Sequence, residues 1–199
     1  IDLLNLDSIC FGDSIQISPT ISNGLPSYSF SWLPLNSGLS SYSILNPYAS
    51  PLTSTQYNLT VTDLNNCSDN RIIDLEVLSL PIVDAGLDQN ICINDTAFLN
   101  ASVSGGISPY FHQWNPPGLL SNDNILDPII PVNNDFTFIL TSTDDFGCVN
   151  SDTIKIDSIS LPTVDAGNDT TLCDQPIPVT FSGTPTGGVW SGTGVTSGG

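Results

Sequence analysis

The chain has 199 residues, with two Lys or Arg against twenty Asp or Glu, and a formal net charge of −18. Only Arg71 and Lys155 could neutralise a phosphate, which excludes nucleic-acid binding, and an anionic membrane surface would repel the chain for the same reason. No apolar run approaches the roughly 20 residues of a membrane helix, so no membrane insertion is expected, and the many aliphatic positions argue against disorder.

Helix formers are scarce. Met is absent and Glu76 is the only Glu, whereas Ser, Thr, Asn, Val, Ile and aromatics are abundant. This is strand-and-turn composition. With no initiator Met, the chain is expected to be a mature product or a piece of something longer. The first ten residues, IDLLNLDSIC, show no basic start of a signal peptide.

In chain order, the first 80 residues contain ICFGDSIQISPTISNGLPSYSFSWLP and then YNLTVTDLNNC. The next 80 restate both: ICINDTAFLNASVSGGISPYFHQWNP and FILTSTDDFGC. An offset of 82 superposes Cys10 on Cys92, Gly24 on Gly106, Tyr28 on Tyr110, Trp32 on Trp114 and Pro34 on Pro116. The connector repeats as well, LPIVDAGLDQNIC at 80–92 and LPTVDAGNDTTLC at 161–173. The expected organisation is therefore one domain at 1–80, a second at 81–160, and a third that begins at 161 and is cut short at 199.

Within the second unit, strands are expected at 97–103, 110–114, 136–143 and 151–159, with Gly, Pro, Asn and Asp clusters between them. Short alternating strands in a unit of about 80 residues predict an all-β fold of tandem antiparallel sandwiches. Trp32 and Trp114 are the expected core centres.

The five cysteines follow the repeat. Cys10 to Cys67 is 57 positions and Cys92 to Cys148 is 56. This spacing predicts disulfides Cys10–Cys67 and Cys92–Cys148, with Cys173 unpaired in this stretch; two buried free thiols per unit are the alternative. A disulfide closing such a loop is worth roughly 3–4 kcal/mol in the loop-entropy model and implies an oxidising, extracellular setting.

The VDAGLDQ segment, the later aromatic strand ending in Trp, and TSTDDFGC before an alternating strand resemble the polycystic-kidney-disease (PKD) domain. The resemblance covers 81–160 well and 1–80 less well, because IDLLNLDSIC lacks the Ala-Gly element; GGVWSGTGV resembles a related immunoglobulin-like repeat. It implies immunoglobulin-like sandwiches. The cysteine-bearing version is similar to repeats of large Bacteroidetes surface proteins, gliding-motility adhesins and other type IX secretion substrates among them. That implies the outer surface of a Gram-negative bacterium.

Chemistry is thin. His112 is the only histidine, and its counterpart is Phe30, which favours packing over catalysis. No G-x-S-x-G element, zinc spacing or phosphate loop accompanies it. No enzyme activity is expected and no cofactor is required. If Cys92 bonds Cys148, then Asp84 and Asp88 come near Asp144 and Asp145, four carboxylates suited to Ca²⁺; the alternative is that they cap turns. Asp63 with Asp2 would form a poorer version. Asp-Ser/Thr followed by Ile, Ala or Thr recurs at Ser8, Ser14, Thr96, Thr153, Ser158 and Thr170. This resembles the O-glycosylation signal of exported Bacteroidetes proteins; the alternative is that such pairs merely begin strands.

The leading expectation is a stalk or filament segment of a secreted, multi-repeat surface adhesin, whose partners are the other repeats of its own chain. Two others stay open. One is a module binding a surface glycan or cell-surface protein, with Tyr42 and Tyr48 as contacts. The other is a non-catalytic accessory region of a secreted hydrolase.

Overall fold

The computed structural model describes residues 8–171 and 178–195. In the first repeat the strands are β1 (Ser8–Cys10), β2 (Ile15–Gln16), β3 (Ser29–Leu33), β4 (Tyr48–Ala49), β5 (Thr55–Thr62) and β6 (Ser68–Leu78). In the second they are β7 (Pro81–Asp84), β8 (Gln89–Cys92), β9 (Thr96–Phe98), β10 (Ser102–Gly105), β11 (Phe111–Asn115), β12 (Ile129–Pro131), β13 (Phe136–Thr143) and β14 (Val149–Ile159). No helix occurs among the described residues.

Alternation explains the long strands. In β5, Tyr57, Leu59 and Val61 point inward; in β13 the inward positions are Phe138, Leu140 and Ser142. Four-stranded sheets form in the orders β1-β6-β5-β3 and β8-β14-β13-β11, faced by the pairs β2-β4 and β9-β12. Each repeat thus closes as a sandwich, because alternating strands must cover their apolar face. One core gathers Ile17, Trp32, Tyr57, Leu59 and Leu75; the other gathers Leu99, Trp114, Phe138, Ile154 and Ile156. Trp32 and Trp114 are both fully buried, and their indole N–H groups donate to Ile44 O and Ile125 O, each at 2.8 Å. A buried indole needs that partner.

The expected strand at 136–143 is β13, and that at 151–159 starts two residues earlier, as β14. The expected single strand at 97–103 is instead two, β9 and β10, which pair with different partners, β12 and β7. The chain changes sheets between them at Leu99–Ala101, where Leu99 N–H donates to Pro128 O and Ala101 N–H to Leu126 O.

Most antiparallel neighbours follow the chain, but the outermost strands do not. β1 runs parallel to β6 and β8 runs parallel to β14. Cys10 lies level with Leu78, and Cys92 level with Ile159. The late cysteines, Cys67 and Cys148, immediately precede Ser68 and Val149, the first residues of β6 and β14. Both strands have 11 residues, roughly 35 Å at about 3.3 Å per residue. The two cysteines of one repeat therefore sit at opposite poles.

This overturns the expected pairing. Bridged Cα atoms lie within about 7 Å, so neither Cys10–Cys67 nor Cys92–Cys148 can form. The disulfide joins Cys10 to Cys148 across the two repeats, with Cα atoms 5.5 Å apart. Cys67 and Cys92 are free thiols. Cys173 and Asp2 lie outside the described residues.

Beyond Ile159, Asp165 bridges Thr184 as Asp84 pairs with Ser102, and Phe181 stacks on Trp190 at a centroid distance of 5.4 Å.

Candidate functional site: the cysteine poles

Each sandwich has an entry pole, where β6 or β14 begins, and an exit pole, where it ends. At the exit pole of the first repeat, Phe11 N–H donates to Leu78 O at 2.8 Å and Asp13 N–H to Cys10 O at 3.0 Å. At the exit pole of the second, Ile93 N–H donates to Ile159 O at 2.9 Å and Asp95 N–H to Cys92 O at 3.0 Å. The turn between needs a left-handed residue, and Gly12 (φ 92°) and Asn94 (φ 76°) supply it.

The entry poles match as closely. In the first repeat, Asp63 Oδ1 accepts the N–H groups of Asn65 and Cys67, and its Oδ2 that of Leu25. In the second, Asp144 Oδ1 accepts from Phe146 and Cys148, and its Oδ2 from Ile107. One aspartate thus folds each cysteine hairpin and ties it to the loop opposite. Those hydrogen bonds, from Leu25 and Cys67 above all, hold the Asp63 carboxyl below the usual range. Gly106 makes the arrangement fit: a Cβ there would stand 2.8 Å from Asp144 Oδ2.

The two poles meet at the bridge. Ile9, Asp13, Ile15 and Leu78 of the first repeat and Phe146 and Gly147 of the second line a shallow cleft around it. The backbone crosses at the same place. β6 ends at Leu78 and β7 starts at Pro81, whose carbonyl accepts from Asn150 Nδ2 at 2.9 Å, one residue inside β14. The junction therefore has two tethers, the backbone and the disulfide. Docking changes the cysteine's surroundings: Cys148 is fully buried, whereas Cys67 is exposed.

The four carboxylates proposed for calcium are not brought together. Asp88 Oδ1 accepts the N–H of Lys155, far along β14, whereas Asp144 sits before its first residue. Asp84 Oδ1 accepts from Gly86, as Asp165 does from Gly167. Among the described residues no group of three or more His, Cys, Asp or Glu is placed to hold a metal ion. The misplacement follows from the cysteine pairing, on which the proposed cluster depended.

His112 Nδ1 lies 3.0 Å from Ser142 Oγ, and burial lowers the imidazole pKa. Ser142 is fully buried, out of reach of a substrate. The matching pair in the first repeat is Phe30 and Val61, so the His–Ser contact replaces an apolar one. Of the candidate glycosylation hydroxyls, those of Ser14, Thr96, Thr153 and Thr170 belong to exposed residues. Ser8 is half-buried, and Ser158 donates to Asp135 Oδ1 at 2.7 Å. Tyr42 is half-buried, its hydroxyl accepting from Ser37 N–H, whereas Tyr48 is exposed.

The inter-repeat bridge was missed by sequence reasoning. Its only signal was the near-equal spacing in the two repeats, 57 positions from Cys10 to Cys67 and 56 from Cys92 to Cys148, which fits bonding between neighbours as well as bonding within.

No family model matches the chain, and no curated protein matches it. Among solved structures, the N-terminal eight immunoglobulin domains of Down syndrome cell adhesion molecule are 15% identical with a TM-score of 0.54, over 81% of this chain and 24% of that one. The insect immune protein hemolin is 11% identical with a TM-score of 0.40, over 78% and 45%. Fibronectin(III)-like modules of Clostridium thermocellum CbhA are 13% identical with a TM-score of 0.33, over 79% and 91%. The first of these shows the fold: immunoglobulin-like β-sandwich. No described helix is long and apolar enough to cross a membrane.

Proposed function

We propose that this chain is a stalk segment of a secreted surface adhesin, built from tandem sandwiches at 1–80 and 81–160 with a third starting at 161. The Cys10–Cys148 bridge carries the reading, because it fastens the exit pole of one repeat to the entry pole of the next. A second tether beside the backbone crossing resists bending and twisting, which a binding loop would not need and a load-bearing fibre does. The disulfide places the chain outside the reducing cytosol. A surplus of Asp and a near absence of Lys and Arg keep such fibres soluble, mutually repelling and poor in trypsin-type cleavage sites.

The resemblance of VDAGLDQ and TSTDDFGC to PKD-like repeats supports reading the protein as one of the Bacteroidetes surface adhesins of gliding motility and type IX export. On that reading the exposed Ser14, Thr96, Thr153 and Thr170 carry O-glycans, and Ser158, engaged with Asp135, does not. Catalysis has no part in it.

Small-angle scattering of the 199-residue chain tests the stalk. The expected profile is elongated, and reduction with dithiothreitol broadens its distance distribution. A compact, near-spherical profile would remove the proposal.

A further inference from the structure

We propose that Cys92 and Cys67 are the two halves of the same inter-repeat disulfide as Cys10–Cys148, so that the repeats form a chain of covalent links. Cys92 bonds the late cysteine of the repeat that starts at 161, roughly 81 positions after Cys148. Cys67 bonds the early cysteine of a repeat on its N-terminal side. The inference rests on the tandem-repeat reading above.

Three observations carry it. First, neither free thiol can be satisfied within its own repeat, because β6 and β14 hold the early and late cysteines about 35 Å apart. Second, each free cysteine already has the geometry of its bonded counterpart. Cys92 has the turn and the two backbone hydrogen bonds of Cys10. Cys67 has the Asp63 hairpin that Asp144 builds for Cys148. Third, the contact made at the formed junction has its counterpart at the open one. Cys10 is flanked by Ile9 and Leu78, which line one cleft with Phe146 of the hairpin; Cys92 is flanked by Ile91 and Ile159, and Ile159 is 46% exposed. The partner chemistry is thus an Asp-x-x-x-Cys hairpin, in the form Asp63–Cys67 and Asp144–Cys148 share.

The bond forms by thiol–disulfide exchange with a disulfide oxidant. The thiolate of one cysteine attacks the oxidant's disulfide and expels one of its sulfurs as a thiol. The second cysteine's thiolate then attacks the mixed disulfide and expels the other. Two cysteine thiols become one disulfide, and the oxidant leaves as two thiols, carrying both electrons and both protons.

The test is a peptide map of the protein as secreted, alkylated without reduction and cleaved at Asp. Cys92 should be recovered bonded to an Asp-x-x-x-Cys peptide other than that of Cys148. Alkylated Cys92, a Cys92–Cys148 bond, or a Cys67–Cys92 bond in a monomeric chain would each overturn the inference. A second test uses the 199-residue chain with Cys173→Ser, at high concentration in a glutathione redox buffer. Its exit pole should take the Cys67 hairpin of another copy, giving a ladder of head-to-tail species that Cys92→Ser reduces to monomer. Monomer alone with both thiols intact, or a ladder that survives Cys92→Ser, counts against the proposal. An elongated scattering profile with Cys92 alkylated would spare the stalk and sink only this link; a compact profile with Cys92 bonded would do the reverse.

Discussion

The hairpins Asp63–Cys67 and Asp144–Cys148 share the same three hydrogen bonds from backbone N–H groups to one carboxylate, yet one cysteine is an exposed thiol and the other a buried half-cystine. The difference teaches that the hairpin is made by its own repeat and the bond by the neighbour. Folding and linkage are separate events, and each can be perturbed alone.

Removing the bond is the strongest way to break the comparison. Cys10 lies beside Leu78, so unfolding the second repeat with the bond intact leaves a closed loop of about 70 residues, worth up to ~4 kcal/mol in the loop-entropy model. Cys10→Ser should lower the urea midpoint of the Trp114 indole N–H signal and leave that of Trp32 nearly unchanged. Amide exchange at Phe146 and Cys148 should rise toward that of Asn65 and Cys67. If exchange at Cys148 stays slow without the bond, the two hairpins are not equivalent.

Next in size is the carboxylate. Asp144 is 2% exposed and satisfies the amides of Ile107, Phe146 and Cys148. Asp144→Ala should cost about 3 kcal/mol, since each buried amide left without a partner costs roughly 1–3 kcal/mol. It should also slow formation of Cys10–Cys148 in a refolding assay. Asp63→Ala should affect its own repeat less, because Asp63 is more open to water. Equal losses from the two substitutions would show that burial does not separate them.

How much of this could be read beforehand follows from the range of each signal. Alternation in 136–143 and the aromatic run ending at Trp114 are local, and both the strand and the buried tryptophan are where the pattern put them. The partner of β8 is not local. Nothing in QNIC states that it lies parallel to the end of β14 rather than beside its start, and a parallel neighbour can be far away in sequence. That one unknown decided the cysteines and, through them, the carboxylates: Asp88 went with Lys155, and Asp144 with its own hairpin. The repeat period was legible, but it fixes equivalence between residues, not which equivalent copies touch.

A third contrast lies inside the sheets. Phe30 opposite Val61 in the first repeat becomes His112 opposite Ser142 in the second. His112→Phe should destabilise the second repeat by about 1–3 kcal/mol, because the buried Ser142 hydroxyl loses its partner. Adding Ser142→Val should recover most of the loss, since the double variant carries the first repeat's pair. Additive losses in the double-mutant cycle would mean that the two positions are not coupled.

The smallest effect is a pH window that only the second repeat has. Burial disfavours the charged imidazole, so the folded-state pKa of His112 lies below its ordinary value of 6.5. Between those two values the unfolded chain binds a proton that the folded chain does not, so stability must fall as pH falls. The contribution is fully present above about 6.5 and is lost as pH drops through the folded value. The first repeat has no histidine, and its depressed groups are the carboxylates of Asp63 and Asp69. Those contributions are present above the ordinary carboxylate value and are lost only as pH falls through the lower folded values. An acid titration should therefore weaken the two sandwiches in order, the second first. The indole signals of Trp114 and Trp32 in urea, compared at pH 7.5 and 5.5, separate the two. The Trp114 midpoint should drop over that interval while the Trp32 midpoint holds, and the double variant His112→Phe with Ser142→Val should make them move together. Identical pH responses of the two indoles in the unmodified chain would show that the His112–Ser142 contact adds nothing beyond the apolar pair it replaces.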